Sequence, residues 1–195
     1  MSEWREARES RTEKVGFLEK LIPGYDYSHE DCAHATDERL CSLLVEQLRE
    51  AKRTLFNTLE TAYELHREML LKDFEQLRDD LDIFSDEVKA RAFEWDRSKP
   101  CEWLERLIDH DYRLISGLGN LRKELDRLHR EFLSSDENAH DLRELNALIK
   151  TIERKTEDLA VLFKEREAIC NIKEASLEKT FDRIRSRIRK GFEED

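Results

Sequence analysis

The scarcity of residues that interrupt helices is the feature that most constrains this chain. Among 195 residues there are only 5 glycines and 2 prolines, the residues that most often punctuate strands and turns. Apolar residues between them recur at intervals of three and four, the spacing of one face of an α-helix. We therefore expect an all-α protein with a few long helices.

The number and sign of the charged residues favour some functional classes over others. Charged residues make up 42% of the chain and hydrophobic residues 38%, a balance typical of long helices that still bury a core. The formal net charge is −11, whereas a surface that binds phosphate is normally basic. Nucleic acid is therefore an unlikely partner.

The start of the chain differs from the rest. Its apolar residues are concentrated at Val15, Phe17, Leu18, Leu21 and Ile22. Pro23 and Gly24 follow and end any helix. We expect a short N-terminal arm with a Pro-Gly turn over residues 1–27 and a helical bundle over residues 28–195.

Three apolar seams follow this turn, and each predicts a helix. The first begins at about residue 29 and contains Leu40, Leu44, Leu48, Ala51, Leu55, Ala62, Met69, Leu77 and Leu81. The second begins near Pro100 and contains Leu104, Leu107, Ile108, Tyr112, Ile115, Leu118, Leu121, Leu125, Leu128 and Phe132. The third, over about residues 139–190, contains Leu142, Leu145, Ile149, Ile152, Leu159, Leu162, Ile169, Leu177, Phe181, Ile184 and Ile188. Continuity of the first helix through residues 79–86 stays open, because the aspartates there are weak helix formers.

Three long helices joined by short turns favour up-down-up packing. The expected fold is an elongated antiparallel three-helix bundle or coiled coil. Gly117 and Gly119 inside the second seam indicate a close helix contact or a kink, and Trp95 and Trp103 are expected to close one end of the bundle. Helices of unequal length leave apolar surface uncovered, which favours self-association.

Cysteine usage and the chain start predict a cytoplasmic protein. Cys32, Cys41, Cys101 and Cys170 are scattered, without a CxxC pair, so reduced thiols are expected rather than disulfides or a zinc site. The first residues lack the features of a secretion signal, and no apolar run has spanning length.

Two groups of residues contain side chains that could bind a metal ion. His29, Cys32 and His34 are close in sequence, but their spacing matches no standard zinc pattern. Glu137 and His140 form one Glu-x-x-His element, which di-iron bundles use twice. We therefore predict no metal, no cofactor and no catalytic residue, with a metal-dependent helical-bundle enzyme as a remote alternative.

A basic amphipathic stretch near the C-terminus is the most distinctive charge feature. It comprises Lys179, Phe181, Arg183, Ile184, Arg185, Arg187, Ile188, Arg189 and Lys190. Such a helix can dock on an anionic membrane surface or an acidic partner. Cations near a helix C-terminus also complement the helix dipole, and we favour the interpretation that this stripe continues the bundle seam.

One segment resembles a known group of proteins. It reads Gly16-Phe17-Leu18-Glu19-Lys20-Leu21-Ile22-Pro23-Gly24-Tyr25-Asp26-Tyr27, followed by Glu30, Asp37 and Leu40. This is similar to the opening of uncharacterised prokaryotic helical proteins that begin with a Leu-Ile/Val-Pro-Gly-Tyr-x-Gly-Tyr stretch, although the second glycine is missing here. The resemblance covers residues 16–40 and implies a helical, prokaryotic, cytoplasmic protein with no assigned activity. It makes Pro23, Gly24, Tyr25 and Tyr27 candidates for a protein contact.

These observations favour a non-enzymatic helical scaffold or adaptor. It would act through helix-helix contacts with a protein partner or with further copies of itself. A peripheral protein that docks on anionic membrane through the basic C-terminal helix is the main alternative.

Overall fold

The structure is a computed structural model that describes residues 2–65, 70–91, 101–135 and 139–171. These residues contain five α-helices and no strand, so the predicted all-α class is confirmed. The helices are α1 (Ser2–Leu21), α2 (Glu30–Glu64), α3 (Leu71–Lys89), α4 (Cys101–Ser134) and α5 (Ala139–Asn171). Within the described residues, none of these helices is both long and apolar enough to cross a membrane.

The chain divides into two compact units. Unit one comprises the described residues within Met1–Leu43, Arg91–Ile115 and Val161–Asp195, and unit two comprises those within Leu44–Ala90 and Ser116–Ala160. Helices α2, α4 and α5 each contribute residues to both units. The boundary predicted after residue 27 falls inside unit one, and the division into arm and bundle stays a prediction.

Unit two contains four helical segments, from α2, α3, α4 and α5. Helices α2 and α3 run antiparallel, because Lys52 Nζ lies 2.6 Å from Asp82 Oδ1 and Tyr63 donates a hydrogen bond of 2.7 Å to Glu75 Oε1.

Helix α2 runs parallel to α4 in the same unit. Glu50 pairs with Arg122 at 2.6 Å, and Thr58 Oγ1 lies 2.9 Å from His129 Nδ1, so residue numbers rise together along both helices. Unit two therefore pairs α2 with an antiparallel neighbour, α3, and with a parallel one, α4.

The number of helices differs from the three that were expected. The first long helix ends at Glu64 and α3 begins at Leu71, while α3 continues without interruption through residues 79–86. The aspartates in that range are tolerated because Leu81, Phe84 and Val88 are buried on the core face, and tertiary packing outweighs weak helix propensity. The finer expectation of up-down-up packing of three helices is not confirmed.

The predicted seams match the observed core closely. Leu40, Leu48 and Leu125 are at most 1% exposed. The other seam residues found buried are Leu44, Ala51, Leu55, Ala62, Leu77, Leu81, Leu107, Ile108, Ile115, Leu118, Leu121, Leu128, Phe132, Leu145, Ile149, Ile152, Leu159, Leu162 and Ile169. Spacing at threes and fours thus identified the core faces of α2, α4 and α5.

Trp103 is buried in unit one, and its indole Nε1 donates a hydrogen bond of 2.6 Å to the carbonyl oxygen of Ile169. It thereby joins α4 to the last turn of α5. Trp95, predicted to act with Trp103, lies outside the described residues.

The two glycines of α4 differ in their surroundings, which gives a matched test of packing. A Cβ at Gly117 would lie 2.6 Å from Leu159 Cδ2, whereas a Cβ at Gly119 would meet nothing within 4 Å. The predicted close helix contact therefore occurs at Gly117. Gly119→Ala should stabilise the chain by about 0.5–1 kcal/mol through higher helix propensity. Gly117→Ala should be at least about 1 kcal/mol less stable than Gly119→Ala, because the buried Leu159 must shift.

Urea denaturation of the two variants, followed by circular dichroism, measures this difference. Equal stabilities would show that Leu159 moves aside freely.

Candidate functional site

The link between α1 and α2 begins with a tight turn at Pro23 and Gly24. The Tyr25 amide donates to the Ile22 carbonyl at 3.1 Å, and Gly24 has φ 73°, which is the pattern of a type II turn. A Cβ at Gly24 would also lie 3.1 Å from Arg39 Nη1, which itself donates to the Pro23 carbonyl at 2.6 Å. The positive φ favours glycine at this position.

The rest of the link is fixed to the start of α2 by Thr36. The Thr36 hydroxyl accepts a hydrogen bond of 2.9 Å from the Asp26 amide and donates one of 2.8 Å to the Asp26 carbonyl. The Asp26 carboxylate accepts hydrogen bonds from the backbone and the hydroxyl of Ser28. The bond from the Ser28 amide is the main reason that the pKa of Asp26 is lowered. The link is therefore ordered along its length.

Behind this link lies a buried polar group that we call the Arg166 cluster. Its members are Tyr25, Tyr27, Asp37, Asp111 and Arg166, with Arg91 at the edge. They come from the link, α2, α4, α5 and the second residue after α3, and all of them belong to unit one. The cluster therefore joins the three stretches of sequence that make up that unit.

Arg166 is the centre of the cluster and is 2% exposed. Its Nε donates to Asp111 Oδ1 at 2.5 Å, and its Nη1 lies 2.7 Å from Asp37 Oδ1. Its Nη2 donates to the Tyr27 hydroxyl at 2.9 Å. Burial alone lowers the pKa of Arg166, but the nearby Asp111, Tyr27 and Asp37 outweigh burial and raise it well above its usual value.

Both tyrosines of the link point into the cluster. The hydroxyls of Tyr25 and Tyr27 donate to the same atom, Asp111 Oδ2, at 2.7 and 2.8 Å, and their rings meet edge to face with centroids 5.3 Å apart. Burial first, and the Asp111 carboxylate second, raise the pKa of Tyr25 well above its usual value. The same two causes act on Tyr27. Both hydroxyls therefore keep their protons and act as donors.

The charges of the cluster balance. Arg91 Nε donates to Asp37 Oδ2 at 3.0 Å, so two guanidinium groups face the two carboxylates of Asp37 and Asp111. A buried charge that has a hydrogen-bonded opposite partner avoids most of the penalty of burial. The pairings join α5 to α4 and α2, and α2 to the segment after α3, within unit one.

Two thiols lie next to the cluster along its helices. Cys41 follows Asp37 by one helical turn, and Cys170 follows Arg166 by one turn; neither is in a disulfide, and both are 1% exposed. Burial raises the pKa of Cys41 to about 12, partly opposed by the charge of Arg166. The Cys41 thiol is therefore protonated at neutral pH, and a thiol is a much weaker nucleophile than a thiolate.

The structure gives the predicted contact residues different environments. Pro23 and Gly24 are exposed, whereas Tyr25 and Tyr27 are 5% and 3% exposed and bind within the chain itself. A partner contact at this turn stays a prediction. The basic stretch from Lys179 to Lys190 lies outside the described residues.

The structure describes one of the two candidate metal-binding groups. His29 and His34 are exposed and Cys32 is half-buried. Glu137 and the side chain of His140 lie outside what the structure describes. In the described part of the chain, no three His, Cys, Asp or Glu side chains are grouped so that they could hold a metal ion.

Sequence reasoning missed Asp37, Asp111 and Arg166, although a signal for them exists. Each occupies a seam position: Asp111 lies four residues after Leu107, and Arg166 four residues after Leu162. A charged residue on an otherwise apolar helix face requires an opposite charge nearby, and these residues supply both signs.

Alkaline pH should destabilise the protein, because the hydroxyls of Tyr25 and Tyr27 and the thiol of Cys41 ionise more easily in the unfolded chain than in the folded one. In the unfolded chain Cys41 and the two tyrosines ionise near their ordinary pKa values of 9 and 10, whereas in the folded chain their pKa values are raised. Their stabilising effect is therefore complete below pH 9 and is lost as the pH rises through the raised pKa values. Each group lowers the free energy of unfolding by up to about 1.4 kcal/mol per pH unit.

Urea denaturation at intervals between pH 8 and 11 checks this slope. Tyr27→Phe should be less stable than wild type at pH 8 but lose less stability as the pH rises above 10. Parallel curves for the two proteins would mean that Tyr27 ionises as easily in the folded chain as in the unfolded one.

Comparison with known proteins adds no relative: no protein-family model matches the sequence, and neither a curated protein nor a solved structure is significantly similar to it.

Proposed function

We propose that this protein is a cytoplasmic, non-enzymatic helical scaffold that acts through contacts between its helices and a protein partner or further copies of itself. The observation that carries the proposal is the exposure of large apolar side chains in unit two. Phe56 on α2 is 56% exposed and Ile83 on α3 is 61% exposed. Exposed apolar side chains on neighbouring helices are typical of protein contact surfaces.

Phe56 and Ile83 flank the ion pair that joins their helices. Phe56 follows Lys52 by one turn of α2, and Ile83 follows Asp82 directly on α3. Tyr63, 51% exposed, lies on the same side of α2 as Phe56 and is fixed by its hydrogen bond to Glu75. A side chain held in place before binding loses less conformational entropy on binding.

Unit one offers a second surface at the predicted turn. Leu21 is 42% exposed and lies beside the exposed Pro23 and Gly24. Because the link is anchored by Thr36 and by the Arg166 cluster, this turn presents a rigid shape. These features support a contact at Pro23 and Gly24, with Tyr25 and Tyr27 as its internal support.

Two further observations support the cytoplasmic and non-enzymatic parts of the proposal. The thiols of Cys32, Cys41 and Cys170 are not in disulfides, which suits a reducing compartment. In the Arg166 cluster, the charged groups are bound to one another and the tyrosine hydroxyls to Asp111, an arrangement that serves the packing of unit one.

Sedimentation velocity across a range of protein concentrations tests self-association. Wild type is expected to form a defined oligomer, and Phe56→Glu combined with Ile83→Glu should weaken the association at least about tenfold, because residues that anchor an interface dominate its affinity. Asn57→Glu is the matched control, since it adds a charge at an exposed position of α2 next to Phe56 without removing apolar surface.

A wild-type chain that stays monomeric at every concentration would contradict self-association. Equal weakening by Asn57→Glu would show that charge, and not the two apolar side chains, governs the contact. Repeating the experiment with vesicles rich in phosphatidylserine tests the membrane alternative, which predicts sedimentation with the vesicles at low salt only.

A further inference from the structure

Helix α1 is attached to α4 through polar contacts that are open to solvent. Lys14 Nζ lies 2.7 Å from Asp109 Oδ1, with side-chain exposures of 30% and 39%, and Arg11 Nη1 lies 3.5 Å from Glu105 Oε1. Ion pairs this exposed contribute little to stability and are weakened by salt.

An aromatic contact continues this row of ion pairs. Phe17 meets Tyr112 edge on, with ring centroids 5.2 Å apart, and Lys14 Nζ lies 5.9 Å from the centre of the Tyr112 ring. Phe17 is nevertheless 36% exposed, so solvent reaches this contact as well.

Within residues 11–21, the part of α1 whose side chains the structure describes, full burial is reached only near the end of the helix. Among the α1 side chains that the structure describes, only Leu18 is buried, and Ile22 is the next buried residue after it. Gly16, within the helix, has no atom within 4 Å of the place a Cβ would occupy, and a glycine in a helix interior weakens that helix.

The link after α1 is held in a different way. Tyr25 and Tyr27 are bound to the buried Asp111, and Asp26 is bound to Thr36 on α2. The contacts of the chain therefore change from solvent-exposed pairs over residues 11–17 to buried ones from Leu18 onward.

The part of α4 that α1 covers suits a helix whose contact face carries basic and aromatic residues. Glu105, Asp109 and Tyr112 are spaced four and three residues apart and form one stripe along α4. Arg11, Lys14 and Phe17 of α1 meet that stripe with complementary charge and an aromatic ring. We infer that α1 is a displaceable arm that occupies, within its own chain, a site on α4 for an amphipathic helix of a protein partner whose contact face is basic and aromatic. The inference goes beyond the proposed self-association, because a monomer would carry the same arm and stripe.

Hydrogen exchange of the full chain tests displacement. In about 1 M salt, where the Debye length is about 3 Å, amides of residues 11–17 should exchange about tenfold faster than at low salt, the effect expected from two exposed ion pairs. Amides of α2 between Thr36 and Leu48 are the internal control and should be unaffected. If high salt changes the exchange rates of neither segment, the inference is overturned.

Binding in trans tests the site. The probe is a fluorescent peptide with the sequence of residues 2–22, and the host is the full chain carrying Arg11→Glu and Lys14→Glu, whose own arm is repelled by Glu105 and Asp109. The peptide should bind this host about tenfold more tightly than wild type, because the site is no longer occupied in cis. A peptide carrying the same two glutamates should not bind.

The two results together decide the inference. Equal binding to host and wild type, or equal binding by both peptides, would overturn it. Unchanged exchange protection of α2 in the host shows that it is folded. If α2 protection is lost in the host, the salt experiment on wild type decides alone.

Discussion

Arg166→Met is expected to destabilise the protein by about 3–5 kcal/mol, since removing one partner of a buried ion pair leaves the other charge uncompensated. Here two carboxylates, Asp37 and Asp111, lose their shared partner, and the Tyr27 hydroxyl loses a donor. Methionine keeps much of the side-chain volume, so the effect reports charge and hydrogen bonding more than a cavity. Urea denaturation followed by circular dichroism measures the change.

Arg154→Met is the matched control, because Arg154 lies on the same helix and is exposed. It should change stability by less than about 0.5 kcal/mol. Adding Asp111→Asn to Arg166→Met should recover part of the loss, since it removes one unpaired charge. A loss from Arg166→Met of less than about 1 kcal/mol would indicate that water reaches the cluster and solvates its carboxylates.

Leu125→Asp should prevent cooperative folding of unit two. Leu125 is 1% exposed at the centre of the α4 seam, and an isolated carboxylate placed there has no partner and loses its hydration. The loss of apolar burial and the burial of charge together exceed about 4 kcal/mol, a large part of the stability of a domain of this size. Thermal melting followed by circular dichroism should show a broad transition or none.

Leu133→Asp makes the same chemical change on the same helix and serves as its control. Leu133 is 52% exposed, so a carboxylate there stays hydrated and the melting temperature should move by only a few degrees. Similar melting of the two variants would mean that the α4 seam does not face the core.

The core could be predicted from sequence because it depends on periodicity alone. Leu48, Leu125 and Ile152 lie where spacing at threes and fours placed them, and each is buried. The turn at Pro23 and Gly24 could also be predicted. Proline has a fixed φ and glycine readily adopts a positive φ, and a type II turn requires this combination.

The end of α2 at Glu64 could not be predicted in this way. Residues 65–70 contain neither proline nor glycine, and Leu70 at the start of α3 makes no side-chain capping bond. A helix end without such signals is set by tertiary packing, which one sequence does not display. The weak helix formers at residues 79–86 leave the continuity of the helix open for the same reason, and α3 is continuous there.

The Arg166 cluster was only partly accessible to sequence reasoning. The Pro-Gly turn predicts Tyr25 and Tyr27 as contact residues, because tyrosines on such a turn present contact area at low entropic cost. Their buried partners Asp111 and Arg166 are 86 and 139 residues away in sequence from Tyr25 and Tyr27 respectively. Helical spacing indicates that Asp111 and Arg166 face a core, but it does not indicate which charges will meet.

These long separations have a consequence for the order in which the chain folds. Contacts between residues distant in sequence close large loops and form slowly. Tyr27 precedes its partner Arg166 by 139 residues, so during synthesis it must wait until that length of chain has been made. Unit one combines three separate stretches of the sequence, and its buried cluster cannot be completed before then. Tyr27 therefore lacks its guanidinium partner until α5 has been synthesised.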